Sequence, residues 1–449
     1  MTWVRLLSDP SEISQASSST LALELVERIF FGLRAGTLVA HPLCARIHRK
    51  RGEVFSGGCA VAGRKTVGCL KDKQMATVLI LGGGFGGVVA AERLAQQLGD
   101  EHHITLVSRE SQFIFYPALV RLAFGKCEPD DVSFDLRRSM LNRRINFIQA
   151  EVARIDLTGR KAILANGEVE GTVPYDYLIY ALGRRLATER VTGFFEHAHH
   201  LLDVKGALRF GEAIRNLQEG RVVIGQCPGA RLSVPVYETA FALSSWLKKN
   251  NDAESVRVTV VSPTTITEEF GDDKMAAVIH QELVRQGIEF MPNFPISKVG
   301  SSFVSTDDGR DLNCSLLMLL PPFHGSSAAS RLGITGADDY INVGWTMKVI
   351  GAERIYAVGD CVNFAGPKMG HMAVNQAQVA AANVVAEIAG HQPIAHYDHE
   401  MMMVLDVFDG DSIYFHKDLW SDDPASVRQG RFWSWAKRLQ EKHWEAAHR

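Results

Sequence analysis

The sequence predicts an α/β fold built from two glycine-containing strand–loop–helix units. The first is MATVLILGGGFGG at residues 75–87, where a short apolar strand runs into a GxGxxG loop. The second is RVVIGQCPGA at residues 221–230. Far along the chain, another short strand ends in Gly359-Asp360. These observations predict two Rossmann-like nucleotide-binding domains, the second inserted in the first, followed by a small C-terminal membrane-docking region.

Composition and charge exclude several functional classes. The chain has 449 residues, 46% of them hydrophobic, and its net charge of −3 offers no general footprint for nucleic acid. It contains no apolar run of about 18 residues, so we expect no transmembrane helix. The seven cysteines lack paired or metal-ligand spacing, which favours a reducing compartment and predicts no metal site.

The glycine-rich unit begins unusually late in the chain. A first strand of a nucleotide-binding fold usually lies near the N-terminus, and Met75 would provide that start. We therefore expect residues 1–74 to be an appended extension that packs poorly against the rest, or one that the native protein lacks. A targeting peptide is the alternative, but the acidic residues in this segment count against it.

The first loop has the pattern that a dinucleotide phosphate requires. Gly82 permits the tight turn, Gly84 lets backbone N–H groups approach a pyrophosphate, and Gly87 lets the helix pack closely on the strand. Strand, loop and helix occur in the required order, which makes the pattern specific. The candidate cofactor ligands of this loop are Gly82, Gly84, Phe85, Gly86 and Gly87.

An acidic residue follows the second strand, which is predicted at residues 104–107. The Glu110 carboxylate is a candidate acceptor for the ribose hydroxyls of an adenosine. Ser108 occupies the position where such an acid usually lies, so a solvated loop charge is the alternative for Glu110.

Two further strand ends add to the predicted cofactor site. Gly359 and Asp360, in RIYAVGDCVNFAG, precede a helix-forming run at residues 372–389. Between the two glycine loops, YDYLIYALGRR contributes a strand that ends at Ala181 and Gly183. An early GxGxxG paired with a late Gly-Asp is much more specific than either pattern alone.

The motifs together resemble the pyridine nucleotide-disulfide oxidoreductase superfamily. The most similar branch holds sulfide:quinone oxidoreductases, flavocytochrome c sulfide dehydrogenase and type II NADH dehydrogenases, and the resemblance includes segments 113–134, 319–325 and 366–385. It implies an FAD whose ribityl chain is hydrogen-bonded by Asp360, and a quinone that approaches near the C-terminal part. The implied organisation is an extension at 1–74, an FAD-binding domain at 75–195 and 319–392, a second Rossmann-like domain at 196–318, and a C-terminal region at 393–449 with an amphipathic helix.

The second loop is a poor match to a nicotinamide-nucleotide site. Cys227 replaces the second glycine, where we expect its side chain to block close approach of a pyrophosphate, and Pro228 lacks an N–H donor. The strand at 256–263 ends without an acid for a ribose. NAD(P)H is therefore an uncertain cofactor. By resemblance, Pro235 and the YE that follows are similar to sulfide:quinone-type sequences.

Sulfide oxidation by the route of the resembled family requires cysteines beside the flavin. The matching stretches, 197–208 and 401–411, contain none. Of the remaining thiols, Cys127 and Cys361 are the first candidates for unconventional redox chemistry. Buried small hydrophobes are the alternative for both.

Three polar residues are candidates for the flavin and quinone sites. Lys368, in GPKMGH, is a catalytic candidate because its charge would stabilise an anionic reduced flavin. Lys368, His371 and Gln376 are the candidates for the quinone path. A solvated loop lysine and a helix-surface glutamine are the alternatives.

The C-terminal sequence predicts an amphipathic helix from about Arg431. Phe432, Trp435, Ala436 and Leu439 form one stripe flanked by cations, which suits the headgroup layer of a membrane. We therefore expect a peripheral protein on the cytoplasmic side of a membrane, and homo-oligomerisation is possible on this sequence. Packing of the helix on its own domain or on a partner subunit is the alternative.

The leading functional prediction is an FAD-dependent oxidoreductase that passes two electrons from an unidentified donor to a quinone at the membrane surface. One alternative is an NADH:quinone oxidoreductase, which needs nicotinamide binding at the second loop. Another is a non-catalytic flavoprotein subunit or redox sensor.

Overall fold

A computed structural model of the chain describes residues 75–250 and 255–449. The predicted extension at residues 1–74 lies outside the described residues. The strands are β1 (Thr77–Leu81), β2 (His103–Ser108), β3 (Gln112–Ile114), β4 (Ser133–Asp135), β5 (Asn146–Gln149), β6 (Glu151–Asp156), β7 (Lys161–Ala165), β8 (Gly171–Pro174), β9 (Tyr177–Tyr180), β10 (Arg184–Leu186), β11 (Gly220–Gln226), β12 (Val256–Val261), β13 (Glu289–Met291), β14 (Ile296–Val299), β15 (Phe303–Thr306), β16 (Asp311–Asn313), β17 (Leu316–Leu320), β18 (Phe323–Gly325), β19 (Ile355–Ala357), β20 (Glu400–Asp406), β21 (Ser412–Asp418) and β22 (Ser426–Gln429). The α-helices are α1 (Phe85–Leu98), α2 (Leu119–Ala123), α3 (Leu136–Asn142), α4 (Phe194–His197), α5 (Val204–Asn216), α6 (Val234–Asn250), α7 (Ile266–Phe270), α8 (Asp273–Gln286), α9 (Gly370–Ile388) and α10 (Arg431–His448).

The first sheet is parallel and has the strand order β19-β9-β1-β2-β5. Its central strands read TVLIL and YLIY and are buried almost throughout, as expected for a parallel sheet covered on both faces. Leu81 pairs with Tyr180, and Tyr180 pairs with Ala357. This register brings the carboxyl ends of β1, β9 and β19 to one edge, where the sequence places all three cofactor motifs.

The second sheet is also parallel, with the order β13-β12-β11-β17. Cys227, just beyond β11, is fully buried in its core beside Val261 and Leu319. Strand β17 extends this sheet to Leu320, slightly past the predicted boundary at residue 318. The α/β fold with two Rossmann-like sheets, the second inserted between strands of the first, is confirmed.

The C-terminal region pairs a three-stranded antiparallel sheet, β20-β21-β22, with helix α10. Trp433 of α10 stacks on Tyr414 at 4.1 Å between ring centroids. Lys437 lies between two buried carboxylates, with its Nζ 2.5 Å from Glu238 Oε1 and 3.6 Å from Asp406 Oδ2. These contacts fasten the helix to the rest of the chain.

Helix α10 buries a face that differs from its predicted apolar stripe. Trp433, Ala436 and Trp444 are buried against the protein. Of the stripe residues, Ala436 alone is buried, whereas Phe432 and Leu439 are partly exposed and Trp435 is 49% exposed. The helix itself is confirmed, whereas its contact with a membrane stays a prediction. In the described parts of the chain, no helix is both long and apolar enough to cross a bilayer.

Candidate cofactor site and adjoining pocket

The glycine loop after β1 is shaped by two close backbone approaches. Gly82 has φ +111°, and a Cβ added there would lie 2.1 Å from the Ala181 carbonyl oxygen. A Cβ at Gly87 would lie 1.8 Å from the Gly82 carbonyl oxygen. Any side chain at either position would therefore displace backbone, which is the physical reason for glycine at the turn and at the helix–strand contact. Both steric roles agree with the sequence prediction.

Gly84 differs from its neighbours because nothing lies within 4 Å of the position that its Cβ would occupy. It precedes α1, and no side chain caps the free N–H groups of that helix end. The helix dipole adds partial positive charge at the same point. This open, glycine-lined helix start fits a dinucleotide pyrophosphate, so the residues present suit an FAD. The phosphate contacts themselves stay a prediction.

Asp360 lies at the same sheet edge, in the 3₁₀ turn Gly359–Cys361 after β19. It forms an ion pair with Arg184, and both side chains are mostly buried. The Arg184 guanidinium lies 4.1 Å above the Phe323 ring. Its buried Nε has no hydrogen-bond partner among the described residues. The site thus holds a carboxylate acceptor and an unused cationic donor, which suits the polar groups of a flavin nucleotide.

Sequence reasoning did not find Arg184. The available signal was its position directly after Gly183, at the end of a strand already assigned to the site. Gly183 has φ +66°, which turns the chain so that β10 can pair with β18 next to Asp360.

A pocket adjoins Asp360 between the turn after β19 and the start of α9. It is lined by Gly359, Asp360, Phe364, Pro367, Lys368, Met369, Met372, Ala373, Gln376 and His399. Two of the three quinone-path candidates, Lys368 and Gln376, therefore reach one cavity beside the Gly-Asp motif. Neither His399 nor Phe364 was found from the sequence: Phe364 lies close after Asp360 but matches no motif, and His399 comes from the segment before β20.

Lys368 is a buried amine, with only 6% of its surface exposed. Its Nζ donates a hydrogen bond to the Val362 carbonyl oxygen and lies 4.5 Å above the Tyr340 ring. Burial, followed by repulsion from Arg231, lowers the pKa of the Lys368 amine to about 7. The solvated-lysine alternative is therefore wrong, and this amine can gain or lose a proton near neutral pH.

The other two candidates have structural partners. Gln376 is buried, and its Oε1 accepts a hydrogen bond from the Gly359 N–H at 2.7 Å, so it supports the turn that carries Asp360. His371 Nε2 lies 3.0 Å from the Glu400 carbonyl oxygen, which joins α9 to β20. His371 does not line the pocket. The helix-surface alternative for Gln376 is wrong.

The side chains of Glu110 and Phe85 contact other residues of the protein. The Glu110 side chain is 68% exposed, and its Oε1 lies 3.1 Å from Arg109 Nε. The Phe85 ring packs against Phe113 at 5.0 Å and Trp444 at 5.2 Å, so it anchors the loop to α10. Gly86 has a packing role, since a Cβ there would lie 3.0 Å from Val358.

The loop after β11 is filled by a polar network. Gln226 Nε2 donates to Ser233 Oγ at 3.1 Å and to Ser262 Oγ at 3.4 Å. Ser262 Oγ in turn donates to Glu269, and the Tyr237 hydroxyl donates to the other Glu269 oxygen at 2.9 Å. Burial raises the pKa of Glu269. The carboxylate comes from α7, which the sequence analysis did not connect with this sheet edge.

The predicted role of Cys227 was wrong. Its side chain points into the core of the second sheet and cannot face a pyrophosphate. The loop is instead held by Arg231, whose guanidinium donates to the Gly366 carbonyl oxygen at 2.8 Å and also to that of Phe364. These bonds tie the second loop to the segment that carries Lys368.

Neither candidate thiol is prepared to act as a nucleophile. Burial raises the pKa of Cys361 to about 12 and that of Cys127 to about 11, so both remain protonated at neutral pH. Cys361 Sγ donates to the Val358 carbonyl oxygen at 3.1 Å. All four cysteines of the described residues are free. Within the same residues, no group of His, Cys, Asp and Glu could hold a metal ion.

A family model for pyridine nucleotide-disulphide oxidoreductases matches residues 76–382. The chain belongs to this family. It is therefore an FAD-dependent oxidoreductase of the family whose fold the two sheets display.

Relatives of known function agree with the family. Sulfide-quinone reductase of Aquifex aeolicus is 25% identical over 69% of this chain and 76% of its own length. Type II NADH:quinone oxidoreductase of Haemophilus influenzae is 25% identical over 64% of this chain and 73% of its own. Human ferroptosis suppressor protein 1 is 25% identical over 71% of this chain and 83% of its own length. The crystal structure of the Aquifex aeolicus sulfide:quinone oxidoreductase superposes with a TM-score of 0.76 and 23% identity, over 82% of this chain and 90% of that one.

Proposed function

We propose that this enzyme passes two electrons from FAD to a quinone that approaches the flavin near Lys368, at the pocket beside Asp360. The observation that carries the proposal is the composition of that pocket, in which a buried amine, Lys368, lies among Phe364, His399 and methionines. An aromatic, uncharged acceptor suits such a lining, and its oxygens need a proton source when they are reduced. Two of the relatives above carry a quinone in their names.

The chain's own residues have separate tasks in this proposal. Gly82, Gly84 and the start of α1 hold the pyrophosphate, and Asp360 and Arg184 orient the rest of the cofactor. FAD supplies the two-electron chemistry. Lys368 holds a proton at Nζ, next to the space for an acceptor oxygen, and its pKa of about 7 suits transfer near neutral pH.

We infer that NADH is not the donor. The position that a nicotinamide nucleotide would take after β11 holds the Gln226–Ser262–Glu269 network, and both Glu269 oxygens already accept hydrogen bonds. Sulfide by the thiol route is also disfavoured, because Cys127 and Cys361 stay protonated. The electron donor is therefore neither NADH nor sulfide, or it reduces the flavin by a route that needs neither nicotinamide binding at the second loop nor a cysteine thiolate.

An NADH:quinone oxidoreductase remains the second candidate, because one observation favours it. Glu269 brings a carboxylate to the carboxyl edge of the second sheet, where a ribose acceptor would be required. For NADH to bind there, the hydroxyls of Ser262 and Tyr237 must release the Glu269 carboxylate, so that it can accept hydrogen bonds from the ribose instead.

The acceptor is tested by anaerobic photoreduction of the holoenzyme, with EDTA as the sacrificial electron donor, followed by mixing with a tailless quinone. Recovery of the oxidised flavin absorbance at a rate that depends on quinone concentration supports the proposal. Absence of recovery with any quinone, while a one-electron dye still reoxidises the protein, contradicts it. Peripheral attachment to a membrane and homo-oligomerisation remain proposals that sedimentation with vesicles and light scattering would test.

A further inference from the structure

The C-terminal helix α10 ends against the start of α1, next to the open glycine loop. Phe85 is the first residue of α1 and directly follows Gly84. Its ring centroid lies 5.2 Å from that of Trp444, and a Cβ at Gly370 would lie 3.3 Å from the same ring. Phe85 therefore packs against both the end of α10 and the first residue of α9. A displacement of Trp444 would disturb the residue that follows the proposed pyrophosphate position.

Two further aromatic rings complete the packing around Phe85. The ring centroids of Phe113 and Phe115 lie 5.0 and 5.6 Å from that of Phe85. Trp444 contacts the same two rings, at 6.3 and 6.4 Å between centroids, and only 5% of its surface is exposed. Packed aromatic rings favour particular relative orientations. A smaller side chain at Trp444 would therefore leave a cavity beside Phe85 and free its ring to move.

The last turn of α10 holds α1 at a second point. His448 Nδ1 lies 2.6 Å from Glu92 Oε2, and Arg143 Nε lies 3.0 Å from the other oxygen of this buried carboxylate. Ser139 Oγ donates a hydrogen bond to the His448 carbonyl oxygen at 2.5 Å. Arg143 donates one to the Ala447 carbonyl oxygen. Carbonyl oxygens at a helix end lack partners within the helix, so α3 caps the end of α10 and fixes it beside α1.

The preceding turns of α10 are fastened elsewhere. Lys437 lies between Glu238 of α6 and Asp406 of β20. Glu441 Oε2 lies 2.7 Å from a guanidinium nitrogen of Arg121 on α2. A buried charge that loses its partner is costly, so these ion pairs oppose detachment of the helix. We therefore expect α10 to stay docked when only its last two turns are altered.

We propose that Trp444 and His448 are positioning residues for the cofactor, so that the C-terminal end of the chain sets how tightly the enzyme holds FAD. They contact α1 at its first residue and again at Glu92, about two turns further along. Helix N–H groups that are already held in place bind a phosphate more tightly, because binding then does not have to order them. This inference concerns the pyrophosphate site beside Gly84 and does not depend on the electron acceptor.

The test measures how fast FAD leaves the holoenzyme. The enzyme is diluted to nanomolar concentration, and released FAD is followed by its increase in fluorescence. Trp444→Leu is compared with Trp433→Leu, which removes another buried tryptophan of α10, one that stacks on Tyr414. We expect the FAD dissociation rate to rise about tenfold for Trp444→Leu, which corresponds to about 1.4 kcal/mol. For Trp433→Leu we expect a change of less than about twofold, because its ring is not part of the packing around Phe85.

Urea unfolding of the same variants separates positioning from general stability. Both leucine variants lose a buried ring, so we expect both to unfold at lower urea concentration than wild type. Trp444→Phe keeps an aromatic ring beside Phe85, and we expect it to hold FAD within about threefold of wild type. The proposal is overturned if Trp433→Leu releases FAD as fast as Trp444→Leu, or if Trp444→Leu releases it no faster than wild type.

Two further variants test the route through α1. Phe85→Leu should also speed FAD release, and adding Trp444→Leu to it should change the rate by less than about twofold, because the two rings act together. His448→Ala should raise the rate about threefold, since Glu92 keeps its pair with Arg143. Independent, multiplying effects of Phe85→Leu and Trp444→Leu would overturn the proposal. These rates involve no acceptor, so the expected rates in an enzyme that reduces no quinone would contradict the proposed function alone.

Discussion

The two strand–loop–helix units of this molecule share one topology and differ in what occupies the loop. After β1, the space beside Gly84 is open and the α1 N–H groups lack a capping side chain. After β11, Gln226, Ser262 and Glu269 hydrogen-bond to one another, and Arg231 ties the loop to the segment before α9. The first unit is built to receive a nucleotide, whereas the second already satisfies its own polar groups.

This difference shows that a parallel sheet with a glycine-containing turn is not sufficient for nucleotide binding. The side chains around the turn must also leave its N–H groups free. Bound nucleotide would have to replace hydrogen bonds that the second loop makes internally, and each buried group left unpaired costs about 1–3 kcal/mol. The predictions below test the first loop, its supporting charges and its surroundings, in order of decreasing effect.

The largest effect is expected for Gly87→Ala. The new Cβ would lie 1.8 Å from the Gly82 carbonyl oxygen, so the backbone must move. We expect the free energy of unfolding to fall by roughly 3 kcal/mol or more and the purified protein to lack FAD. Urea unfolding measures the free energy change, and the ratio of flavin to protein absorbance measures the FAD content.

Gly84→Ala is the matched control for that change. Its Cβ would meet nothing within 4 Å, and its φ of −85° suits alanine. The apoprotein should unfold within about 0.5 kcal/mol of wild type, while FAD affinity falls about tenfold because the methyl group enters the pyrophosphate space. Unchanged FAD affinity would show that the open space is not the cofactor site.

The next effect is expected for Asp360→Asn. This substitution leaves the buried Arg184 without its counter-charge, which costs about 3 kcal/mol in the apoprotein. The same change in the exposed Asp100–Arg144 pair should leave the free energy of unfolding almost unchanged, because solvent screens both charges. Combining Asp360→Asn with Arg184→Gln should recover part of the loss. Equal costs at the two pairs would mean that the pair beside the cofactor site is not buried in solution.

Lys368→Met should change how stability depends on pH. The folded amine loses its proton at about pH 7, whereas the unfolded amine keeps it up to about 10.5. The unfolded state therefore binds more protons between these values, so this group makes the free energy of unfolding rise as pH increases from 7 to 10.5. We expect the variant to lose that rise, on the order of 1–3 kcal/mol. The exposed Lys248→Met is the control, and an equal pH profile for wild type and Lys368→Met would contradict burial of the amine.

The smallest effect is expected for Glu110→Gln. Its carboxylate is mostly exposed and pairs with the neighbouring Arg109, so FAD affinity should fall less than about threefold. A loss above tenfold in titrations of the apoprotein would show instead that this acid holds the ribose.

The fold could be predicted because its signals are local. Apolar runs such as TVLIL followed by glycines specify strand, turn and helix within about 25 residues, and parallel pairing then brings the strand ends together. Of the predicted site residues, Gly82, Ala181 and Asp360 lie at those strand ends, whereas Lys368 and Gln376 were found from the GPKMGH segment and the helix that follows it.

The remaining residues depend on contacts that no local pattern encodes. Glu269 reaches the second loop from α7, and His399 reaches the pocket from the segment before β20. Cys227 was misjudged because spacing gives its position in the loop and not the direction of its side chain. The buried face of α10 was not predicted for a related reason, since the buried partners of Lys437 are Glu238 on α6 and Asp406 on β20.

The most direct test of the contrast between the two loops is anaerobic stopped-flow absorbance of the FAD-loaded enzyme in the flavin band. The enzyme would be mixed with NADH at concentrations well above those that saturate nicotinamide-dependent flavoenzymes, with a chemical reductant as the positive control. We predict that the chemical reductant bleaches the flavin and that NADH does not do so on the time scale of turnover. Rapid bleaching by NADH, with a rate that saturates as its concentration rises, would contradict the account, because it would show that the filled second loop opens to bind a nucleotide.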